Sequence, residues 1–564
     1  MRRLMLAAAL LSAGAAAAAD IALNQLGFLP GAAKVAAVPA GAAGEFRVID
    51  MRGGGVALRG RLTPAATWAP SGQAVQLADF SALHAPGRYR LQVDGLADSL
   101  PFDIGERVYA DVNAGAIKAY YYNRASSPLL PQHAGRWARP AGHPDDHVLV
   151  HASAASAERP EGAVIAAPKG WYDAGDYNKY VVNSGVTVYT LLAAYEHYPS
   201  LFKDGALNIP ESGNGLPDLL DEVLWNLEWM LAMQDPADGG VYHKLTNSGF
   251  DGIVMPADAK AERYVVQKST AAALDFAAVM AQASRVFAAF DKQRPGLSAR
   301  MLAASRRSWD WARAHPGEVY RQPPDIHTGA YGDNELADEF AWAGAELWVT
   351  TGEASYRPDL DRLAIGVPGW SDVKGLAWVT LAQHRDKLAP ADRSRVHQRV
   401  AGLADDLRAG WKASAYGVGL GLKDYEWGSN AVVLNRALML IQGYRLQPQP
   451  DTLAAAQALF DHVLGRNPLG QSMVTGFGAR PPMHPHHRPS EADGVDDPVP
   501  GFLVGGPNPG QQDAKQCPAY PAKQAALSYL DNFCSYASNE VAINWNAPLV
   551  YVSAALQALT PRPH

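Results

Sequence analysis

Two aspartates three positions apart, in the segment WYDAGDYNKYVVNSG, have the types and spacing for acid–base chemistry. Asp173 and Asp176 flank Ala174 and Gly175, a spacer small enough for a water molecule or a substrate to approach both carboxylates. Two carboxylates that face one water can orient it and take its proton. The alternative is structural, because Asp176 precedes an apolar run and could cap a helix, while Asp173 could bond to its own backbone.

A single glutamate far downstream, Glu540 in YASNEVAINWNAPLV, is the candidate proton donor. Alternatively, Ser538 or Asn539 caps a final helix and Glu540 lies in its first turn, where the helix dipole favours a carboxylate. That dipole would lower the pKa of Glu540, whereas a proton donor at neutral pH needs a pKa raised by burial and nearby negative charge. The catalytic interpretation therefore requires Glu540 to share a cleft with the two aspartates.

The segment GARPPMHPHHRPSEADG contains His484, His486, His487 and Arg488. A metal site is disfavoured here, because the prolines keep the segment extended and the adjacent His486 and His487 would point in opposite directions. Fixed N–H donors for substrate hydroxyls are the favoured interpretation, and a polar surface loop is the other. Trp427, in DYEWGSNAVVLNR, is either a buried anchor at a helix start or an exposed platform for stacking.

The chain that must position these residues has two regions with different sequence patterns. Residues 20–104 form short β segments separated by Gly, Pro and Ala turns, which predicts a small immunoglobulin-like β-sandwich. Residues 105–564 contain about a dozen segments with apolar residues at helical spacing, joined by long aromatic-rich loops. The protein is thus predicted to be mainly α. A dozen helices can close as an inner and an outer ring of six, although the spacing alone leaves that closure open.

Composition excludes some classes of protein. The net charge is −7 and no Lys/Arg run marks a nucleic-acid site, so no nucleic-acid partner is expected. Residues 1–19 have the layout of a secretory signal peptide, which predicts export to the periplasm or beyond. Later apolar segments are interrupted by charges before the ~20 residues that a membrane span needs, so no membrane partner is expected.

In an oxidising compartment, Cys517 and Cys534 favour a disulfide over two free thiols.

Several long motifs, in this order, resemble glycoside hydrolase family 9, the inverting cellulases, in the subgroup with an N-terminal immunoglobulin-like domain. They are LNQLGFLP, GWYDAGDYNKYVVNSG, NIPESGNGLPDLLDEV, YGDNELADEFAWAGAELW, YEWGSN, MVTGFGARPPMHPHHR and YASNEVAINWNAPLVY. The resemblance covers nearly the whole mature chain. It implies an (α/α)6 barrel behind a β-sandwich, and hydrolysis of β-1,4-glucans with no cofactor required for the chemistry.

The resemblance also implies roles for individual residues. Asp176 resembles the general base that activates water, Asp173 helps to hold that water, and Glu540 resembles the general acid. Residues expected to contact sugar are His486, Arg488, Trp427, His243 and Trp545. An inverting enzyme needs its acid and base ~6.5–9.5 Å apart so that a water fits between, which residues from two distant loops can provide.

Two metal sites of the family bear on this chain. Relatives often bind zinc through cysteines, but the matching positions are Ala125 and Gly142, and His143 has no thiolate partner, so zinc is predicted to be absent. Asp338 and Glu339 match an acid pair that binds calcium in some members. The alternative is that these adjacent acids are simply solvated on a helix.

Three functions stay open at this point. The first is an endoglucanase or an enzyme that trims cellodextrins. The second is an exo-acting hydrolase of glucosamine-containing or mixed-linkage chains, an activity of some relatives. The third is a glycan-binding protein without catalysis, which would predict a lost carboxylate, and none is lost.

The sequence does not indicate the oligomeric state. In residues 20–104 Trp68 is the sole tryptophan, which favours a bracing role for the β domain over sugar binding.

Overall fold

The structure is a computed structural model that describes residues 21–41 and 44–562, so the signal peptide expected in residues 1–19 lies outside it. Before the first helix come β1 Val35–Pro39, β2 Glu45–Asp50, β3 Val56–Arg61, β4 Ala66–Trp68, β5 Gln73–Asp79, β6 Gly87–Val93 and β7 Phe102–Ile104. They form two antiparallel sheets with strand orders β1–β5–β4 and β3–β2–β6–β7. In β6, Tyr89, Leu91 and Val93 alternate inward and pack with Phe28 and Phe80 in the sandwich core.

The helices that follow are α1 Ala110–Tyr122, α2 Pro131–Ala134, α3 Val181–His197, α4 Asp218–Ala232, α5 Thr270–Phe287, α6 Leu297–Ala314, α7 Ala337–Thr351, α8 Leu376–Gln383, α9 Pro390–Ala413, α10 Ser429–Leu446, α11 Pro450–Val463, α12 Arg488–Ala492, α13 Tyr536–Asn539 and α14 Ile543–Leu559. The loops between them hold short strands, namely β8 Val148–Val150, β9 Val164–Ile165, β10 Lys179–Tyr180, β11 Lys244–Thr246 and β12 Tyr264–Val265. These strands form one mixed sheet in the order β10–β11–β12–β8–β9.

The long helices close into two concentric rings. In the described part of the chain, the inner ring runs α3, α5, α7, α8, α10 and α14, and α14 packs back against α3. Outside it, α4 packs on α3, α6 on α5, α9 on α8 and α10, α11 on α10, and α1 on α14. The predicted (α/α)6 barrel is thereby confirmed.

One outer position of the barrel is irregular. Residues 352–375, between α7 and α8, contain a single turn of 3-10 helix at Ala354–Tyr356 in place of an outer helix. Pro358, Pro368 and several glycines in this stretch oppose a continuous helix.

One inner helix is long and apolar enough to cross a membrane by length and composition alone. Among residues 21–41 and 44–562 it is the stretch Thr270–Phe290, whose most apolar part has a mean hydropathy of 1.3 and is 78% buried inside the protein. Its apolar character fits its place in the inner ring, where it contacts α3, α6 and α7.

The β domain packs directly on the barrel. Trp68 is 4% exposed, and its ring lies 4.7 Å from that of Tyr416. Asn24 Nδ2 donates to Asp461 Oδ1 of α11 at 2.8 Å, and the Gln25 N–H donates to the Leu464 carbonyl at 2.9 Å. A buried tryptophan and buried polar contacts across the interface make the β domain a brace for the barrel.

Candidate active site

The loop that leads into α3 holds Asp173 by side chains from two other elements. Asp173 Oδ1 accepts from Asn183 Nδ2 of α3 at 2.6 Å, and Oδ2 accepts from the Tyr331 hydroxyl at 2.8 Å. The carbonyl of Asp173 accepts from the Ile543 N–H at the start of α14, at 2.8 Å. Both carboxylate oxygens are thus bound by side chains, so the alternative in which Asp173 bonds to its own backbone is wrong.

Asp176 lies in the same loop, five residues before α3 begins at Val181. Its Oδ2 accepts from the Tyr180 hydroxyl at 3.1 Å and from Asn178 Nδ2. The residue at the N-cap position is Tyr180, and it makes no side-chain capping bond. The interpretation of Asp176 as a helix cap is therefore wrong, and its side chain is free for another role.

Gly175, between the two aspartates, lies directly against the histidine–arginine segment. Its carbonyl accepts from Arg488 Nη1 at 2.7 Å and from the Arg488 N–H at 3.3 Å. A Cβ on Gly175 would stand 2.2 Å from the carbonyl oxygen of His486, far inside van der Waals contact. Only glycine permits this approach, which joins segments more than 300 residues apart in the chain.

Glu540 lies between α13 and α14, in extended backbone with φ −69° and ψ 155°. It forms a parallel bridge with His486, and its carbonyl accepts from the Gly505 N–H at 2.8 Å. It precedes the start of α14 at Ile543 and so is not in the first turn of that helix. The alternative of a glutamate stabilised by a helix dipole is therefore wrong.

The acid and the aspartate loop meet through His486, which forms the bridge with Glu540 and whose carbonyl lies against Gly175. Burial and the negative charges of Asp176 and Asp173 raise the pKa of Glu540 well above its usual range, against the opposing effects of Arg488 and the Gly175 backbone. Burial and the charge of Asp176 likewise raise the pKa of Asp173 to about 8, although Asn183 and Tyr331 donate to it. For Glu540, an upward shift of the pKa is the direction that a proton donor at neutral pH requires.

His486 lies beside Glu540 in the extended segment. Its Nδ1 donates to the Phe533 carbonyl at 2.6 Å, and its ring stacks on Phe533 with centroids 4.8 Å apart. Burial lowers the pKa of His486 to about 4, so the ring is neutral and its Nε2 is an acceptor, which corrects the expectation that His486 offers an N–H donor to a substrate hydroxyl. Its neighbour His487 points the other way, into the interior, where it pairs with Asn123 and Ser490.

Arg488 is 9% exposed and follows at the start of α12. Besides Gly175, it binds the Asp251 carbonyl through Nε at 2.9 Å, and its guanidinium lies 5.7 Å from the centre of the exposed Phe250 ring. These contacts hold a cation next to Glu540. The remaining histidine of the segment, His484, is exposed.

Trp427 is 44% exposed, and its ring lies 5.3 Å from Tyr536, which in turn lies 6.1 Å from His486. The interpretation as a buried helix anchor is wrong, and the exposed face is available for stacking. Trp545 differs, because it is only 9% exposed and its indole packs against Gly428. A Cβ added at Gly428 would stand 2.7 Å from the indole nitrogen of Trp545. Trp545 therefore packs against the loop that carries Trp427, which corrects its expected place on the cleft surface.

His243 is fully buried, which corrects its expected contact with sugar. Its Nε2 donates to the Ala330 carbonyl at 2.9 Å, its Nδ1 pairs with the Ser269 hydroxyl at 2.8 Å, and its ring stacks on Tyr320. Both ring nitrogens are occupied. The role of His243 is to hold the loop that carries Tyr331.

Two tyrosines of the site, Tyr180 and Tyr331, were not predicted from the sequence. Tyr180 lies in the same motif as Asp176, so its place in that motif could have indicated a role in the site. Nothing in the sequence distinguishes Tyr331, because it is one of 23 tyrosines and contacts Asp173 across 158 positions of the chain.

Asp338 and Glu339, the expected calcium pair, lie in the first turn of α7 and are 5% and 2% exposed. They are not the solvated surface acids of the alternative interpretation. Burial and the charges of Asp275 and Asp338 raise the pKa of Glu339 to about 11, and Asp275 Oδ1 has no hydrogen-bond partner within residues 21–41 and 44–562. Across the same residues, no three His, Cys, Asp or Glu side chains converge as a set of metal ligands. Carboxylate oxygens are ligands that calcium prefers, so the donor types at this site suit calcium although three of them do not converge on one point among the described residues.

The positions that match the zinc cysteines of relatives lie together but offer no metal ligand. Ala125 is buried, and a side chain at Gly142 would collide with Pro256 at 2.5 Å. His143 uses Nδ1 to pair with the Tyr172 hydroxyl at 2.8 Å.

Cys517 and Cys534 form a disulfide in the structure. It links the two ends of residues 517–534, which precede Glu540 in the chain. On either side of this loop the Asp513 carboxylate accepts from the Ala537 N–H at 2.7 Å, and within the loop the Phe533 carbonyl accepts from His486. The bridge therefore constrains the approach to the candidate acid.

Comparison with known proteins agrees with this geometry. A family model described as Glycosyl hydrolase family 9 matches residues 109–553, and one described as Cellulase N-terminal ig-like domain matches residues 16–98. The xyloglucan-specific endo-beta-1,4-glucanase BoGH9A of Bacteroides ovatus is 44% identical over 555 residues, which cover 96% of this chain and 94% of that protein. Endoglucanase D of Acetivibrio thermocellus is 34% identical over 544 residues, with coverages of 95% and 83%.

Solved structures are similar over the same range. Bacteroides ovatus GH9 superposes with a TM-score of 0.89 at 43% identity, covering 96% of this chain and 99% of that one. The GH family 9 endoglucanase J30 superposes with a TM-score of 0.88 at 30% identity, with coverages of 94% and 100%. This chain therefore belongs to glycosyl hydrolase family 9, an inverting cellulase family whose catalysis needs no cofactor, and is a glycoside hydrolase of the cellulase type with an N-terminal ig-like domain.

Proposed function

We propose that this protein cleaves internal β-1,4-glucosidic bonds of a soluble β-glucan with inversion, using Asp176 as the base and Glu540 as the acid. The observation that carries the proposal is the contact of Gly175 with the His486 segment, which brings the aspartate loop to the segment that is bridged to Glu540. The raised pKa of Glu540 gives it the proton that an acid must donate.

In the proposed step, a water held by Asp173 and Asp176 attacks the anomeric carbon from the face opposite the leaving oxygen. Asp176 takes a proton from the water while Glu540 gives its proton to the departing glycosidic oxygen, so one C–O bond forms as the other breaks. Because burial and the charge of Asp176 raise its pKa to about 8, Asp173 retains a proton at neutral pH and is suited to orienting the water, while Asp176 is the residue that takes the proton in this step. Proton exchange with solvent then restores both residues.

Three residues are proposed to contact the sugar chain. The neutral His486 offers Nε2 as an acceptor for a hydroxyl, and Arg488 offers guanidinium N–H donors next to Glu540. The exposed face of Trp427 suits stacking on the apolar face of a sugar ring.

The substrate is proposed to be a β-1,4-glucan of the cellulose or xyloglucan type, by similarity to the 44% identical relative. The test is a panel of carboxymethylcellulose, xyloglucan, lichenan, cellooligosaccharides and chitosan oligomers, with product lengths resolved. Long products early in the reaction support internal cleavage. Release of one short product from chain ends, or turnover of chitosan oligomers alone, would contradict it and favour the exo-acting alternative. Binding of the panel without turnover would favour a glycan-binding protein.

Stereochemistry and two variants test the assigned roles. The first anomer released from a cellooligosaccharide, followed by NMR, is expected to be α, and an initial β product would contradict inversion. Asp176→Ala and Glu540→Gln are each expected to reduce kcat by about 10²–10⁴-fold or more. Glu491→Gln, an exposed acid close in sequence to the His486 segment, is the matched control and is expected to keep normal turnover.

We also propose that Asp338 and Glu339, with Asp275, bind a structural calcium ion. Carboxyls packed together without a cation must hold protons, whereas a divalent ion would let them ionise. Calcium is expected to raise the melting temperature of the protein over that in EDTA, and Asp275→Asn should remove the difference. Equal melting temperatures for the wild type in calcium and in EDTA would refute this site.

Zinc is proposed to be absent, because Ala125 and Gly142 carry no donor atoms. Metal analysis of the purified protein that finds one zinc per chain would contradict this. Export through the signal peptide of residues 1–19 is likewise a proposal, tested by locating the mature protein and sequencing its N-terminus.

A further inference from the structure

A buried lysine near the candidate base is not used by the steps proposed above. Lys244 lies in β11 opposite Tyr180 of β10 and is fully buried. Its Nζ donates to the Gly329 carbonyl at 2.6 Å, to Thr328 Oγ1 at 3.0 Å and to Gln322 Oε1 at 3.1 Å. None of these partners is a carboxylate. A buried ammonium with only neutral partners is costly unless a negative charge lies within its electrostatic reach.

A chain of hydrogen bonds links this ammonium to Asp176. Thr328 Oγ1 lies 2.6 Å from Thr246 Oγ1, whose hydroxyl can donate to Asn178 Oδ1 at 3.1 Å or to the Asn247 carbonyl at 2.9 Å, and Asn178 Nδ2 donates to Asp176 Oδ2. The Asn247 N–H also donates to Asn178 Oδ1 at 3.0 Å, which fixes the orientation of the amide. An ammonium can only donate, so every bond in the chain can point from the cation towards the carboxylate.

We infer that Lys244 is a positioning residue of the proposed reaction, and that it aligns the Asp176 carboxylate and offsets its negative charge through this hydroxyl and amide chain. The inference rests on the proposed role of Asp176 as base. The chain ends on Asp176 Oδ2, whereas the oxygens of Asp173 accept from Asn183 and Tyr331.

The charges around the pair make such a cation necessary. The charged and titratable groups that face Asp176 from the surrounding elements are Asp173, Tyr180, Lys244, Asp251, Arg488 and Glu540. Those that face Lys244 are Asp176, Tyr180, His243 and Tyr320. Acids outnumber cations in the first set, so Lys244 offsets part of the negative charge that collects around Asp176.

Lys244 titrates in the neutral range. Burial lowers its pKa to about 7, and the charge of Asp176 opposes that shift. Below that pH Lys244 is cationic and offsets the negative charge of the site.

The test is the pH dependence of kcat/KM on xyloglucan and carboxymethylcellulose for the wild type and four variants. Lys244→Met removes the charge, and Thr246→Val breaks the chain but keeps the charge. Both are expected to move the acidic limb to higher pH, the first by about one pH unit. Lys244→Arg keeps the charge and is expected to leave the limb near its wild-type position.

Lys179→Met is the matched control. Lys179 is an equally buried lysine on the adjacent strand, but it pairs with Asp145 at 2.7 Å. Its replacement should lower the melting temperature without moving the limb. The inference is overturned if the acidic limb of the kcat/KM profile does not move in Lys244→Met. If Lys244→Met does not fold, an unmoved acidic limb in Thr246→Val has the same meaning. A shift of the acidic limb in Lys179→Met as large as that in Lys244→Met also overturns the inference. Failure of the wild type to hydrolyse any β-1,4-glucan would instead overturn the proposed function.

Discussion

Gly175→Ala tests whether the contact between the aspartate loop and the His486 segment aligns the reacting groups. The added Cβ would stand 2.2 Å from the His486 carbonyl oxygen, whereas an ordinary contact needs about 3.4 Å, so the two segments must separate by about 1 Å. That movement stretches both bonds from Arg488 to the Gly175 carbonyl and moves the aspartate loop away from the segment that is bridged to Glu540. A misplacement of this size costs about 10²-fold in rate.

The assay is kcat/KM on the best substrate of the panel, together with the far-UV circular dichroism spectrum and the melting temperature. We expect kcat/KM to fall about 10²-fold while the helical content is unchanged. Gly410→Ala is the matched control, because Gly410 lies in α9 and its added Cβ would meet nothing within 4 Å. Wild-type activity in Gly175→Ala would refute the reasoning, since it would mean that acid and base do not depend on this contact.

Three further predictions concern the site and the domain interface. Asp173, whose pKa is about 8, becomes charged in the alkaline range and there helps burial and Asp176 to raise the pKa of Glu540; Asp173→Asn should therefore move the alkaline limb of the kcat/KM profile to lower pH, and an unmoved limb would contradict this. Trp427→Ala should raise KM about 5- to 10-fold with little change in kcat, whereas Met51→Ala, an exposed apolar residue of the β domain, should change neither. Asp461, buried where the domains meet, has its pKa raised by burial to about 6, so its contribution to stability is present below its ordinary pKa and is lost as the pH rises through 6. Calorimetry from pH 4 to 7 should therefore show the melting temperature of the wild type falling relative to that of Asp461→Asn, and parallel curves would count against it.

Much of the fold was predictable because its signals are local. Alternating residues in β6 and helical spacing in α5 and α14 identify strands and helices, and the order of the long motifs indicates the family. The irregular outer position at residues 352–375 was not anticipated, because packing and not periodicity decides whether a weak helical segment forms.

The candidate site was predictable in part. Its acids stand out by type and motif, but the roles of His243 and Trp545 depended on burial, which spacing does not reveal. The capping alternatives for Asp176 and Glu540 could not be rejected from the sequence either. A carboxylate before an apolar run fits a cap equally well until the actual first residue of the helix is known.

The amino-acid sequence by itself determined the two-part architecture and which carboxyls are candidates for the chemistry, because these depend on residue type and on order along the chain. Only the tertiary structure decided which groups set the charge of those carboxyls. Tyr331, Lys244 and Arg488 reach the aspartate loop from distant segments. Burial and Coulomb interactions act through space, so a pKa is a property of the assembled cleft and not of the motif that supplies the residue.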